Sequence, residues 1–277
     1  MNGTNIALRP LLAADLAAAS RLSTALGWPH RLEDWALCLA LGRGVAACDA
    51  RGLAGTAMRW RWGDAAGTLG MVLVDPDRQR AGIGRRMLEA LLAGDEPDRL
   101  MLNATEAGLG LYERLGFRAT GAVRQHQGAF AGDAAAEAGD TRPALRAEWP
   151  ALVALDRDAF GADRAPLLER LLADGAGIVC GPPGRPTGFT IRRPFGRGVL
   201  FGPLVAPGEA EAIALIAAGA GEGLHRVDIP AEASRLAGWL ERSGLPAVDT
   251  VVTMVRGDWP APPPGRRAFA LATQAFG

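Results

Sequence analysis

Residues Gln79-Arg80-Ala81-Gly82-Ile83-Gly84 join two side-chain-free positions to a basic setting made by Arg78, Arg80, Arg85 and Arg86. Bare backbone that a ligand can approach closely, beside positive charge, suits an anion and above all a phosphate. Tyr112, the one tyrosine of the chain, is the second residue of chemical interest. The elements around both can be read from their patterns. Met71-Val72-Leu73-Val74 is a continuous apolar run that fits a strand buried on both faces, and Asp75-Pro76 ends it because proline cannot continue a central ladder. Met87, Leu88, Leu91 and Leu92 then recur at helical spacing. Residues 80–84 therefore fall at a helix mouth, where the first amides lack intrahelical acceptors and the dipole favours negative charge. Residues 99–117 repeat the scheme: an apolar strand, a polar break at Asn103-Ala104-Thr105, and a helix carrying Tyr112 that stops at Gly116.

Two phosphate-binding schemes are poor matches. A nucleotide P-loop requires Gly-Lys-Ser/Thr, and the chain contains no lysine. A Rossmann turn requires a third glycine where Arg85-Arg86-Met87 stand. The hexad does match Q/R-x-x-G-x-G/A. Together with Leu111-Tyr112-Glu113-Arg114-Leu115-Gly116-Phe117 it resembles the GNAT superfamily of acyl-CoA-dependent N-acyltransferases.

The resemblance implies an α/β (α+β) chain whose domains each hold a mixed, mostly antiparallel sheet with flanking helices and a splayed central strand pair. It implies transfer of an acetyl group from acetyl-CoA to an amine by direct attack on the thioester. Main-chain groups of Val72, Leu73 and Val74 would then meet the pantetheine arm. Gln79, Arg80, Ala81, Gly82, Ile83, Gly84 and Arg85 would surround the pyrophosphate, with Arg78, Arg85 and Arg86 each open to a 3′-phosphate or to a solvated helix face. Asn103 and Thr105 would approach the cofactor or cap the following helix. Tyr112 would be the general acid, since a phenol with a reference pKa of about 10 is protonated at neutral pH and a departing thiol is near 8.5. The other role open to it is interfacial packing with a wet hydroxyl. The acceptor side is expected around Trp28, His30, Glu33 and Trp60. Glu33, Asp34 and Asp64 are candidate bases or plain surface acids, His30 is a base or an exposed loop residue, and Trp60 and Trp62 are sheet-packing residues or walls of an acceptor pocket.

Composition narrows the partners. Thirty basic and thirty acidic residues cancel, so no global field favours nucleic acid or an anionic membrane. The resemblance implies an acceptor amine on a small molecule or peptide. Cys38, Cys48 and Cys180 form no C-x-x-C pair, and with three histidines they match no metal-ligand spacing. Residues 1–12 lack a basic segment followed by a long apolar one, and no apolar stretch reaches spanning length, so a soluble protein of a reducing cytoplasm is expected.

At 277 residues the chain has room for two domains. Strands are expected at 6–8, 45–48 and 53–62, helices at 12–26 and 32–41, and closing strands over 119–129. Residues 128–140 are rich in Ala, Gly and acid, as a linker or exposed loop would be. Beyond them the chain begins again: Arg142-Pro143 answers Arg9-Pro10, Leu204-Val205-Ala206-Pro207 answers Leu73-Val74-Asp75-Pro76, and Glu241-Arg242-Ser243-Gly244 answers Glu113-Arg114-Leu115-Gly116. The organisation expected is a catalytic domain over 1–129, a linker over 130–140 and a degenerate copy over 141–277. That copy carries Glu209 and Glu211 where a phosphate would sit, and Trp239 or Leu240 in place of Tyr112. An acyl-CoA-binding regulator without turnover is the alternative function. The domain joined by the strand-like segment 267–277 is left open.

Overall fold

Alternation of apolar and polar residues and helical stripes divide this chain cleanly, and a computed structural model describes residues 6–94, 97–131 and 134–277. The chain forms two compact units, residues 1–100 and 101–277.

In the first unit, β1 (Ala7–Pro10), β2 (Gly42–Asp49), β3 (Gly52–Trp62) and β4 (Ala66–Val74) pair antiparallel in sequence order. Helices α1 (Leu16–Ala25) and α2 (Leu32–Leu41) lie between β1 and β2, and α3 (Ile83–Leu92) follows β4. A single 3-10 turn over Ala13–Asp15 occupies the start of the first expected helix. The stripe Ile83, Met87, Leu88, Leu91 and Leu92 is buried, worth about 2 kcal/mol per large side chain removed from water. It packs so closely on β3 that a Cβ at Gly55 would stand 3.0 Å from Met87 Cε and 2.6 Å from the Leu73 carbonyl oxygen. β4 is buried on both faces over Ala66–Leu69 but not over the run 71–74, where Met71 and Leu73 are 2% exposed and Val72 and Val74 are half-buried.

The second unit contains β5 (Arg99–Ala104) from Met101 onward, α4 (Leu109–Arg114), β6 (Arg118–Ala129) and β7 (Thr141–Pro143). Then come α5 (Trp149–Phe160), α6 (Ala165–Asp174), β8 (Ala176–Cys180), β9 (Gly188–Phe195), β10 (Gly198–Ala206) and α7 (Glu209–Ala218). The unit ends with β11 (Leu224–Pro230), α8 (Ser234–Arg242), β12 (Ala247–Arg256) and β13 (Arg267–Ala270). Its strand order is β5-β12-β6-β11-β10-β9-β8-β7, with β13 on β10. The β10–β11 pair is parallel, and β7–β8, β8–β9, β9–β10, β6–β11 and β6–β12 are antiparallel. The fold is thus mixed α/β with mostly antiparallel strands.

Residues 118–129 form one long strand in place of several closing strands, and both of its neighbours, β11 and β12, come from the second sequence repeat. With this interleaving the compact units part at 100/101, not at the linker expected from the sequence over 130–140. Segment 267–277 belongs to the second unit, where Ala268 and Ala270 pair with Val205 and Leu204.

The two repeats build the same joints. Arg9 grips Asp15 through two 2.7 Å hydrogen bonds, while Leu12 N–H donates to the same carboxylate at 2.9 Å. Arg142 grips Glu148 at 2.8 and 2.7 Å, with Leu145 N–H donating at 2.9 Å and Gly184 N–H at 2.8 Å. Arg142 holds the Glu148 carboxyl at about 2, well below its ordinary 4.5. The folded pKa lies below the unfolded one, so this carboxylate stabilises the fold above about pH 4.5, and that contribution is lost as pH falls through about 2. Arg142→Met should therefore move the acid-unfolding midpoint, followed by circular dichroism, to higher pH; an unchanged midpoint would show the pair to be idle.

Candidate functional site

The phosphate-type loop is held from behind. Asp75 accepts from Asp77 N–H at 2.9 Å and starts a short 3-10 turn over Pro76–Arg78. The Arg78 guanidinium is buried against Asp49 at 2.8 and 2.9 Å and also contacts Asp75. Arg78 is thereby engaged in joining the loop to the end of β2. Arg85 pairs with Glu89 at 2.7 Å on the exposed helix face, Arg86 donates to the Ile6 carbonyl at 2.9 Å, and Gln79 Nε2 donates to the Val74 carbonyl at 3.2 Å. The Arg80 side chain is exposed.

Main-chain conformation does the rest. Arg80 and Gly82 both have positive φ, +62° and +73°, so the chain reverses hand on either side of Ala81, as in concave turns that gather N–H groups around an anion. Gly82 is the N-cap of α3, and a Cβ built there meets nothing within 4 Å. A residue is excluded from that position by conformation and by any ligand, not by the protein's own packing. Arg86 N–H donates to the Gly82 carbonyl, whereas the first-turn amides of Ile83, Gly84 and Arg85 have no intrahelical acceptor.

A feature with no sequence signal lies just upstream. The β3–β4 register passes from Thr56↔Leu73 to Met58↔Gly70, so Met71 and Val72 together face Ala57. Met71 sits at φ +52°, unusual for a residue with a side chain, and Thr56 Oγ1 donates to its carbonyl at 2.8 Å. This bulge turns the main chain of Met71-Val72 out of the β3 ladder in the stretch singled out for pantetheine.

In the second unit, Tyr112 lies on α4 and is 8% exposed, its ring edge-on to Phe117 with centroids 6.1 Å apart. Gly108 makes room for it: a Cβ there would be 3.0 Å from Tyr112 Cε2. Burial pushes the phenol up to about 12. Thr105 is the residue before the 3-10 turn that leads into α4 and makes no side-chain cap bond. Asn103 Nδ2 donates to the Gln274 carbonyl at 2.9 Å and Asn103 Oδ1 accepts from Thr253 at 2.8 Å, so its amide ties β5 to the tail and to β12.

On the expected acceptor side, His30 stands between Trp28 and Trp35 with ring centroids 6.0 and 6.4 Å away. Glu33 is exposed. Asp34 is buried and engaged by Arg31 through its backbone and guanidinium. Trp60 is fully buried with its indole N–H on the Cys38 carbonyl at 2.9 Å, and Trp62 donates to Thr68 Oγ1 at 3.0 Å. Both indoles pack within the unit.

The second repeat shows what divergence has done. Phe117 N–H returns to the Tyr112 carbonyl and Leu245 N–H to the Leu240 carbonyl, with Gly116 and Gly244 at φ +83° and +89°. Leu240, rather than Trp239, is therefore the counterpart of Tyr112. At the mouth of α7, Glu209 is turned onto Leu236 N–H at 2.7 Å. β10 and β11 pair only over residues 199–201; beyond them β13 lies on β10, and Leu271 N–H donates to the Asp228 carbonyl at 2.9 Å. The tail is anchored by buried Arg164, which donates to the Phe276 and Gly277 carbonyls at 2.9 and 2.6 Å while paired with Asp156.

Comparison with known proteins agrees with this architecture. Two sequence models described as acetyltransferase (GNAT) domains match residues 41–119 and 152–270. A Bacillus subtilis (strain 168) protein named uncharacterized N-acetyltransferase YitH is 31% identical over 217 residues, 76% of each chain. A putative acetyltransferase from Pyrococcus horikoshii superposes with a TM-score of 0.79 at 21% identity, covering 100% of this chain and 98% of that one. A tandem GNAT protein from the clavulanic acid biosynthesis pathway gives 0.62 at 14% identity, over 91% and 98%. The chain belongs to the GNAT acetyltransferase family and carries two GNAT domains in tandem. The family is one of N-acetyltransferases that act on amines of small molecules or proteins. Among the described residues, no helix is long and apolar enough to cross a membrane.

Because Tyr112 is the single tyrosine, its ionisation can be followed by tyrosinate absorbance. The folded protein should ionise at about 12 and the denatured protein at about 10. With the folded value raised, the neutral phenol stabilises the fold fully below about pH 10, and that stability is lost as pH rises through about 12. A native titration at the denatured value would contradict the burial.

Proposed function

We propose that the chain transfers an acetyl group from acetyl-CoA to an amine, with the first GNAT domain carrying the reaction. The observation that carries this reading is the mouth of α3: a left-handed Gly82 with open space around it, first-turn amides, and a loop matching Q/R-x-x-G-x-G. These groups fit a pyrophosphate, with Gln79, Arg80, Ala81, Ile83, Gly84 and Arg85 completing the loop. Main-chain groups of Val72, Leu73 and Val74, beginning at the bulge, are the proposed partners of the pantetheine arm. Asn103 and Thr105 remain proposed cofactor neighbours, and Trp28, His30 and Glu33 the acceptor side, while fully buried Trp60 takes the sheet-packing role instead. The partner is a small-molecule or peptide amine, and three free cysteines support a reducing cytoplasm.

In the proposed step the neutral amine attacks the thioester carbonyl, the C–N bond forms, the C–S bond breaks, and the nitrogen loses a proton to a base. Tyr112 supplies a hydrogen bond to the departing sulfur. A phenol near 12 facing a thiol near 8.5 makes complete proton transfer uphill by on the order of 5 kcal/mol. Donation that strengthens as the thiolate forms is thus the role its burial favours: Tyr112 keeps its proton, and the released thiolate takes one from solvent.

The second domain is proposed to bind no CoA, because acids stand at the mouth of α7 and β13 lies where β10 and β11 part. Calorimetric titration with acetyl-CoA should give one site per chain; two sites would defeat this assignment, and none would defeat the loop. Gly82→Val should lower acetyl-CoA affinity at least about tenfold at a folding cost of about 1–2 kcal/mol, since the left-handed conformation disfavours a branched side chain. Unchanged affinity would refute the loop. Tyr112→Phe should lower kcat on the order of 10²-fold with little change in acetyl-CoA Kd. Binding without thiol release from any amine tested would select the regulatory alternative.

A further inference from the structure

The end of β12, a strand of the second repeat, lies beside the helix that carries Tyr112. Val255 is registered opposite Arg118 of β6, which brings Arg256 level with Phe117 and the last turn of α4. Arg256 NH1 donates to the Leu115 carbonyl at 3.1 Å, one of the terminal carbonyls a helix cannot satisfy internally. The guanidinium also covers the Phe117 ring at 5.2 Å from its centroid. Phe117 meets the Tyr112 ring edge-on and returns its N–H to the Tyr112 carbonyl at 3.0 Å. On the third side, a Cβ at Gly116 would lie 3.5 Å from Arg256 Cδ.

The second repeat solves the same problem differently. Its counterpart of Leu115 is Ser243, whose carbonyl accepts the main-chain N–H of Ala131, just beyond β6, at 2.9 Å. Each repeat's closing strand therefore leads to a cap on the other's helix, a guanidinium on the helix with the phenol and a main-chain N–H on its counterpart. A cation is favourable at a helix C-terminus and on an aromatic face, and a planar guanidinium can do both at once.

We propose that Arg256 is a positioning residue for Tyr112, setting the depth and angle of the phenol through Leu115 and Phe117. This rests on the reading of Tyr112 as the hydrogen-bond donor to the departing sulfur. The test uses the full chain with Arg256→Met and Arg256→Lys. Arg256→Met should lower kcat by on the order of tenfold with acetyl-CoA KM within about twofold, and should move the tyrosinate midpoint from about 12 toward 10. Arg256→Lys, which keeps a cation at the helix end without the planar stack, should recover part of both losses. If Arg256→Met does not fold, the lysine variant decides: an intermediate kcat and midpoint support the assignment, and wild-type values overturn it. A folded Arg256→Met with an unchanged midpoint and kcat, or one whose loss lies in KM alone, would likewise overturn it. The tyrosine titration needs no turnover, so it stands even if Tyr112→Phe keeps full activity and the catalytic reading fails.

Discussion

The hydrogen bonding of β6 on both edges is the constraint from which much of the second unit follows. An unpaired interior strand would leave a row of buried N–H and C=O groups unsatisfied, and here both sets of partners come from the other repeat, β11 on one side and β12 on the other. The closing strand of the first repeat is thus an interior strand of the second unit. α4 runs directly into β6 through Gly116 and Phe117, so the helix bearing Tyr112 is tied to a strand whose position the second repeat determines.

That arrangement explains how duplication and divergence coexist. Two joints are the same in both repeats: an arginine gripping a carboxylate six residues later, and a left-handed glycine after the helix. Each meets a backbone or packing requirement indifferent to chemistry. The sites have parted where ligand contact would occur. Gly82 at one helix mouth answers to Gly208 followed by Glu209 at the other, and Tyr112 to Leu240. The region where β10 and β11 separate is occupied by the chain's own β13, so the second copy satisfies its strand edges internally.

Burial of Tyr112 has opposing consequences. Desolvation keeps the phenol neutral far into the alkaline range, and in the proposed reaction it would widen the gap to a departing thiol. A buried donor of high pKa is effective as a fixed hydrogen bond aimed at developing charge, a role that depends on orientation more than acidity. Gly108, which leaves space for the ring, and Phe117, which makes its edge contact, set the orientation that this proposed role would need.

Much of this was legible from residue order. The strand–loop–helix around Gly82, the helix of Tyr112 stopped at Gly116, and the repeat were readable because they rest on local rules: apolar periodicity, proline and glycine punctuation, and main-chain donors at a helix mouth. The bulge at Met71 was not, since Met-Val-Leu-Val carries no mark of the register slip that β3 imposes. Nor was the burial of Arg78 against Asp49, or of Trp60 against Cys38, because an arginine's or tryptophan's partner is chosen by chain segments far away in sequence. The exchange of β6 and β12 was hidden for the same reason: strand propensity says that a segment will pair, not with what. Sequence alone determined the elements and the residue types at the helix mouths; tertiary structure alone decided which strands satisfy one another's backbone, and with that where Asn103, Arg256 and the tail would lie.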